Sequence, residues 1–232
     1  MGMPVLPSYT QTRYRFRNDD GNEIAATWKA AENTNVTQVV NQVFRLRIQV
    51  AQTVTDANEN LVKDFKVRYS LNSGAYTDVA AIGATTSPVR YASSANANNG
   101  SNTTSQLTAA SGTFTAGRID NTNSTGNLTF NVEQYTDLEF ILELYGPQLS
   151  AGNTIDFRVY ETSNTALDTY SATGRATPSF DVSGSLVATE STADRALIAY
   201  QLPQIIDPMV IPLTADSVTL SWDVSPDYGV YD

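Results

Sequence analysis

The sequence predicts an all-β fold: an antiparallel β-sandwich, jelly-roll or Ig-like, with extended N- and C-terminal arms. Three observations carry that expectation. About eight runs alternate apolar and polar residues with a period of two. Clusters of Asn, Asp, Ser and Gly punctuate those runs as turns do. No long stretch repeats apolar residues at helical spacing, which leaves a sandwich or barrel as the natural architecture.

Residues 1–12 hold Pro4 and Pro7 and little periodicity, and they read as an N-terminal arm. Arg13–Arg17 follows as a strict alternation. It puts Tyr14 and Phe16 on one side of a strand and Arg13, Arg15 and Arg17 on the other. Asn18-Asp19-Asp20-Gly21 is a turn, with Gly21 expected to supply a left-handed conformation. Residues 25–40 are ambiguous, and Trp28 is expected to anchor core there.

Clear strands come next. Val43–Gln52 sets Phe44, Leu46, Ile48 and Val50 against Arg45, Arg47 and Gln49. Asp64–Ser70 sets Phe65, Val67 and Tyr69 against Lys66 and Arg68; Asn72-Ser73-Gly74 then turns the chain so that 76–80 returns as a hairpin partner. Shorter strands are expected over 113–119 and 127–132. Thr136–Tyr145 sets Leu138, Phe140, Leu142 and Leu144 against Glu139, Ile141 and Glu143, and Thr154–Glu161 sets Ile155, Phe157 and Val159 against Asp156, Arg158 and Tyr160.

Two segments break the pattern. Ser93–Ser111 is an uncharged run of Ser, Asn, Thr and Ala, a long loop of the kind that is functional or flexible. The sandwich is expected to span 13–177. Residues 178–232 then form a C-terminal extension or small β subdomain with five of the nine prolines. Within it, Leu202–Pro212 is apolar and proline-spaced, which suits an extended arm or an edge segment rather than a central strand. Residues 216–223 return to strand alternation.

Composition excludes several chemistries. The chain has no Cys and no His and only three Lys, so disulfides, thiolate or imidazole zinc sites and nucleophile–His couples are ruled out. Charged residues make up 16 %, and 29 Thr, 20 Ser and 18 Asn stand in for the missing charge. The net charge of −10 argues against nucleic-acid binding. No run approaches the roughly 18 apolar residues of a membrane span, and residues 1–10 carry neither the basic nor the apolar region of a secretory signal.

The charge is unevenly placed. Residues 1–119 carry 11 Lys+Arg and 8 Asp+Glu, whereas 120–232 carry 3 and 16. Such asymmetry suits head-to-tail contact between copies. Arg13, Arg15 and Arg17, with Arg45, Arg47 and Arg68, are expected on exposed sheet faces. There they would meet solvent or the acidic half of a neighbouring copy. Ile205, Ile206, Met209, Val210 and Ile211 are the expected apolar contacts of the C-terminal arm.

Sites for catalysis or metals find little support. Glu139 and Glu143 share a strand face at roughly 13 Å, too far apart for glycoside cleavage, and are expected to face solvent. Asn18–Glu23 is rich in oxygen ligands, and calcium near Asp19 and Asp20 is conceivable. Its Gly21 comes too early for a calcium-loop pattern, so a plain β-turn is the better reading. No phosphate loop and no serine-nucleophile motif is present. The expectation is therefore a non-enzymatic protein with no cofactor and no metal.

The segment Tyr14–Glu23 (Tyr-Arg-Phe-Arg-Asn-Asp-Asp-Gly-Asn-Glu), with Ala26–Thr34 (Ala-Thr-Trp-Lys-Ala-Ala-Glu-Asn-Thr), resembles a module of predicted virion proteins of tailed bacteriophages and of some bacterial surface proteins. Phe44–Arg47, Tyr69–Tyr76 and Ile155–Tyr160 are similar to it as well, so the resemblance covers about residues 13–172 and neither arm. It implies a structural or adhesive module and carries no catalytic residues over. The resulting expectation is a capsid decoration or cement protein on the outer surface of a virion, its partners the major capsid protein and neighbouring copies of itself. The alternative is a tail, fibre or bacterial cell-surface module that binds host glycans through the Ser93–Ser111 loop and exposed tyrosines.

Overall fold

The structure, a computed structural model, describes residues 7–52, 61–131 and 133–180. The expectations placed on residues 181–232, the Ile205–Ile211 contacts among them, lie outside the described residues. Among the described residues the protein is all-β, with one short 3-10 turn at Gly146–Gln148.

The strands are β1 (Tyr9–Asn18), β2 (Val36–Val39), β3 (Val43–Gln52), β4 (Leu61–Lys63), β5 (Phe65–Leu71), β6 (Thr77–Asp78), β7 (Val89–Tyr91), β8 (Thr113–Phe114), β9 (Ile119–Asp120), β10 (Leu128–Phe130), β11 (Gln134–Leu144), β12 (Ile155–Glu161), β13 (Thr169–Tyr170) and β14 (Gly174–Ser179). A seven-stranded sheet has the order β13-β1-β3-β11-β7, with β8 and β9 also on β11. A five-stranded sheet has the order β2-β14-β12-β5-β6, and β10 pairs with β4.

The period-two runs form the long strands as expected, since a half-buried strand needs one apolar face. From the first sheet, Tyr14, Phe16, Phe44, Leu46, Ile48, Leu138, Phe140 and Leu142 join Phe65, Val67, Ile155, Phe157 and Val159 of the second in a single core. Phe16, Phe44 and Phe157 meet at its centre with ring centroids 6.1–6.3 Å apart. Burial of each such ring contributes roughly 1.5–3 kcal/mol. Gly174 admits Tyr14 to this core, because a Cβ there would stand 3.1 Å from the ring.

Several local expectations are corrected. Strand β1 begins at Tyr9, so residues 9–12 belong to the sheet and not to an arm. A bulge between Gln11 and Arg13 turns the Gln11 amide inward; it accepts from Val159 N–H at 2.8 Å and donates to the Ala172 carbonyl at 2.6 Å. Gly21 is required by space and not by handedness, as a Cβ there would lie 2.9 Å from Ala26 N. The pairing is mixed: β1–β13, β11–β8, β11–β9 and β14–β2 are parallel. The expected strand over 113–119 is two short strands, β8 and β9, laid along β11 beyond its partner β7. The hairpin after β5 closes as expected: Asn72 and Ser73 both have positive φ, and Gly74 N–H donates to Leu71.

Candidate functional site

The register of β1, β3 and β11 determines what happens on the sheet face turned away from the core. Arg17 stands opposite Arg45, and Arg15 opposite Arg47. On the other side of β3, Glu139 stands opposite Arg47 and Asp137 opposite Gln49. Like charges across one strand pair are thus offset by a single carboxylate on the next strand.

Glu139 collects three arginines. Arg45 Nη1 donates to its Oε1 at 2.8 Å; Arg17 Nη1 donates to Oε2 at 3.0 Å, and Arg47 Nε to Oε2 at 2.8 Å. All four side chains are fully buried. The 18–28 turn completes the shell: Asp19 lies 3.2 Å from Arg45 Nε, Glu23 pairs with Arg47, and the Glu23 and Ala26 carbonyls accept from Arg17. A group of buried charges persists only when each is paired in this way.

The Ser93–Ser111 loop is the lid of this network. Arg47 Nη1 donates to the Thr104 carbonyl at 2.8 Å. The Asp137 carboxylate accepts from Gln106 and Leu107 N–H at 3.0 and 3.2 Å, Glu23 from Thr104 N–H at 2.9 Å, and Glu32 from Thr108 N–H at 2.6 Å. Burial raises the pKa of Asp137 despite these donors. Burial also pushes Glu23 up, but the Thr104 amide and Arg47 outweigh it and hold its carboxyl below the usual range.

These contacts overturn three expectations. Arg17, Arg45 and Arg47 do not line a solvent face or reach another copy, because their own chain covers them. Glu139 does not face solvent; it is the centre of the network. Trp28 is not core but half-buried over the arginines, with Arg15 and Arg17 at 4.5 and 4.4 Å from its ring centroid. Arg15 donates to the Ala30 carbonyl, and Arg13 stays at the periphery 3.9 Å from Glu32. Oxygens of Asp19 and Asp20, the conceivable calcium ligands, are engaged by Arg45, Ser94 and Thr27.

The outward face of the five-stranded sheet is different in kind: Arg68, Arg158 and Tyr160 are only partly buried, Lys66 and Asp156 are buried, and Tyr170 reaches the face from β13 of the other sheet. Tyr76, Tyr160 and Tyr170 form a row, with centroids 5.7 and 6.1 Å apart. The Arg158 guanidinium stacks on Tyr76 at 4.9 Å and on Tyr170 at 4.4 Å; Arg68 stacks on Tyr160 at 4.9 Å. Asp78 serves both Lys66 and Arg68, and Asp156 grips Arg175 with both oxygens. Arg158 has no carboxylate partner among the described residues; its Nε donates to Thr173 at 3.2 Å. Burial pushes the Tyr76 and Tyr170 hydroxyls up to about 12, so both stay neutral; that of Tyr170 donates to the Val159 carbonyl at 2.7 Å and accepts from Leu167 N–H at 2.9 Å. Such a face can recognise a carboxylate on a flexible chain, or a sugar ring, by stacking and hydrogen bonding. Its signal was legible in the alternation of Asp156, Arg158 and Tyr160, though nothing local marked it off from an ordinary polar face.

A cleft of about 470 Å³ opens beside Trp28, lined also by Asn18, Lys29, Asn35 and Thr37. No family model matches the chain, and no curated protein or solved structure matches it either.

Proposed function

We propose that the chain is a non-enzymatic structural protein of a tailed-bacteriophage virion, a capsid decoration or cement protein on the outer surface of the shell. On this reading the two facing sheets are a β-sandwich of the Ig-like or jelly-roll kind. The residues before β1 and those after β14 reach the major capsid protein and neighbouring copies. The observation that carries the reading is the outward face of the five-stranded sheet, with Arg158 held between Tyr76 and Tyr170 and without a carboxylate partner among the described residues. A chain with net charge −10 that keeps a cationic, aromatic face open is built for contact with acidic surfaces, its own kind included. The resemblance of Tyr14–Thr34 to virion modules supports the same reading.

The test is electron microscopy of particles from the source, with antibody against this chain. Label spread evenly over an icosahedral head is the expected result. Label confined to the tail, or absent from the particle, overturns the decoration role.

A second reading, a tail or cell-surface module for host glycans, rests on the Trp28 cleft and the tyrosine row, since aromatic rings beside amides suit sugar faces. Saturable binding on a glycan array, lost in Tyr76→Ser, would favour it.

A further inference from the structure

The outward face of the five-stranded sheet carries four cations, Lys66, Arg68, Arg158 and Arg175, against two carboxylates, Asp78 and Asp156. The chain supplies its own complement. Residues 181–232 hold eight Asp+Glu and one Arg, a net charge of −7, whereas residues 1–180 hold 16 acids and 13 cations. Most of the excess negative charge is thus concentrated in less than a quarter of the chain.

We propose that this face is the docking surface for the acidic segment 181–232 of a second copy. The proposal rests on the assembly reading above and names the partner of that face. Arg158 is the anchoring group. It has no carboxylate partner among the described residues, and the tyrosine planes on either side fix the guanidinium in place, so little side-chain entropy remains to be lost on binding. Lys66 and Arg68 already share Asp78, and they add long-range attraction more than a direct bond. A positive face in one copy that takes a negative segment from the next is a heterologous contact. Such contacts close into rings or continue over a lattice, which is the geometry a shell-covering protein needs. The Tyr76 hydroxyl, neutral at physiological pH, can donate to a carboxylate of the incoming chain, whereas the Tyr170 hydroxyl already donates to the Val159 carbonyl.

The chain has no cysteine, so the test uses a photo-reactive group. Full-length protein labelled with ¹⁵N, with Tyr76 replaced by p-benzoylphenylalanine, is mixed with unlabelled full-length protein, irradiated and digested. Mass spectrometry then identifies the adducts. The expected adducts join the ¹⁵N peptide containing position 76 to ¹⁴N peptides from 181–232. They should fall at least about tenfold in Arg158→Glu, a drop corresponding to roughly 1.4 kcal/mol, and should weaken as salt is raised. The Arg158→Lys variant, which keeps the charge but loses the stacked plane, should fall between the two.

Circular dichroism confirms that each variant is folded. Adducts only within the ¹⁵N chain, adducts only to residues 1–180, or no adducts would each overturn the proposal. So would ¹⁴N adducts that survive Arg158→Glu in a folded protein. Particle labelling does not depend on this contact, so a labelled head without mixed-isotope adducts refutes the docking surface alone.

Discussion

Glu139 on β11 stands opposite Arg47 on β3, and its Oε2 lies 2.8 Å from Arg47 Nε and 2.6 Å from Nη2. The same carboxylate accepts from Arg17 and Arg45, so one acid compensates three buried cations. Removing it leaves Arg17 without a carboxylate and leaves Arg45 and Arg47 to Asp19 and Glu23. Glu139→Gln should therefore destabilise the protein by about 3–5 kcal/mol, the usual cost of breaking a buried pair from one side. Urea denaturation measures the loss. Hydrogen exchange should show the amides of Thr104, Gln106 and Leu107 losing protection in the same variant.

Two carboxylates under the 93–111 loop respond to pH in opposite directions. Glu23 has a folded pKa below its unfolded one, so its contribution is present above the ordinary glutamate range, near pH 4.3, and lost as pH falls through the lowered value. Asp137 has a folded pKa above its unfolded one, so its stabilising effect is greatest when protonated and shrinks as pH rises through that raised value. Denaturation from about pH 3 to pH 7 should show Glu23→Gln flattening the acid limb. The stability of wild type relative to Asp137→Asn should fall as pH rises above the ordinary aspartate value.

Gly117 lies where the loop returns against β11. A Cβ there would be 2.2 Å from the Asp137 carbonyl oxygen and 2.6 Å from Thr136 Oγ1. Both neighbours sit in a central strand and cannot easily yield. Gly117→Ala should cost about 1–3 kcal/mol, as overpacking does, and should lower the thermal midpoint.

Trp28 covers Arg15 and Arg17 with its ring face. Trp28→Leu retains apolar bulk and loses the π-face, so a stability loss of about 0.5–2 kcal/mol is expected. Trp28→Phe should recover part of it. Urea denaturation of the two variants side by side checks the order.

The long strands were legible because a period-two alternation needs only local information. Phe16, Phe44, Phe140 and Phe157 all point into the core as the pattern requires. Alternation separates two faces but does not say whether the polar one meets water. Arg17, Arg45, Arg47 and Glu139 looked solvent-facing for that reason. Their burial depends on the 18–28 turn and on a loop some 57 residues beyond Arg47 folding back to lie over them. One signal was available: that loop is uncharged and dense in Ser, Thr and Asn, so it can donate backbone and side-chain hydrogen bonds to buried carboxylates without bringing further charge. The parallel strands β8 and β9 had no comparable signal, since each is two residues long and is held by β11 instead of its own sequence.

The spacing of the ionic network along the chain has a consequence for synthesis. Arg17 and Glu139 are 122 positions apart. As the polypeptide leaves the ribosome, β1 and β3 emerge first, with Arg17 across from Arg45 and Arg15 across from Arg47, and no acid on β11 yet to separate the repulsion. Asp19 and Glu23 precede Arg45 and Arg47 and can pair with them early, whereas Arg17 has no carboxylate of its own until well over half the chain has been made. Completion of the network coincides with arrival of the strand that pairs with β3, β7, β8 and β9, so the last long strand of that sheet to appear also locks the earlier ones in place. A truncated product ending before Glu139 would leave Arg17 without the carboxylate that pairs with it in the folded chain.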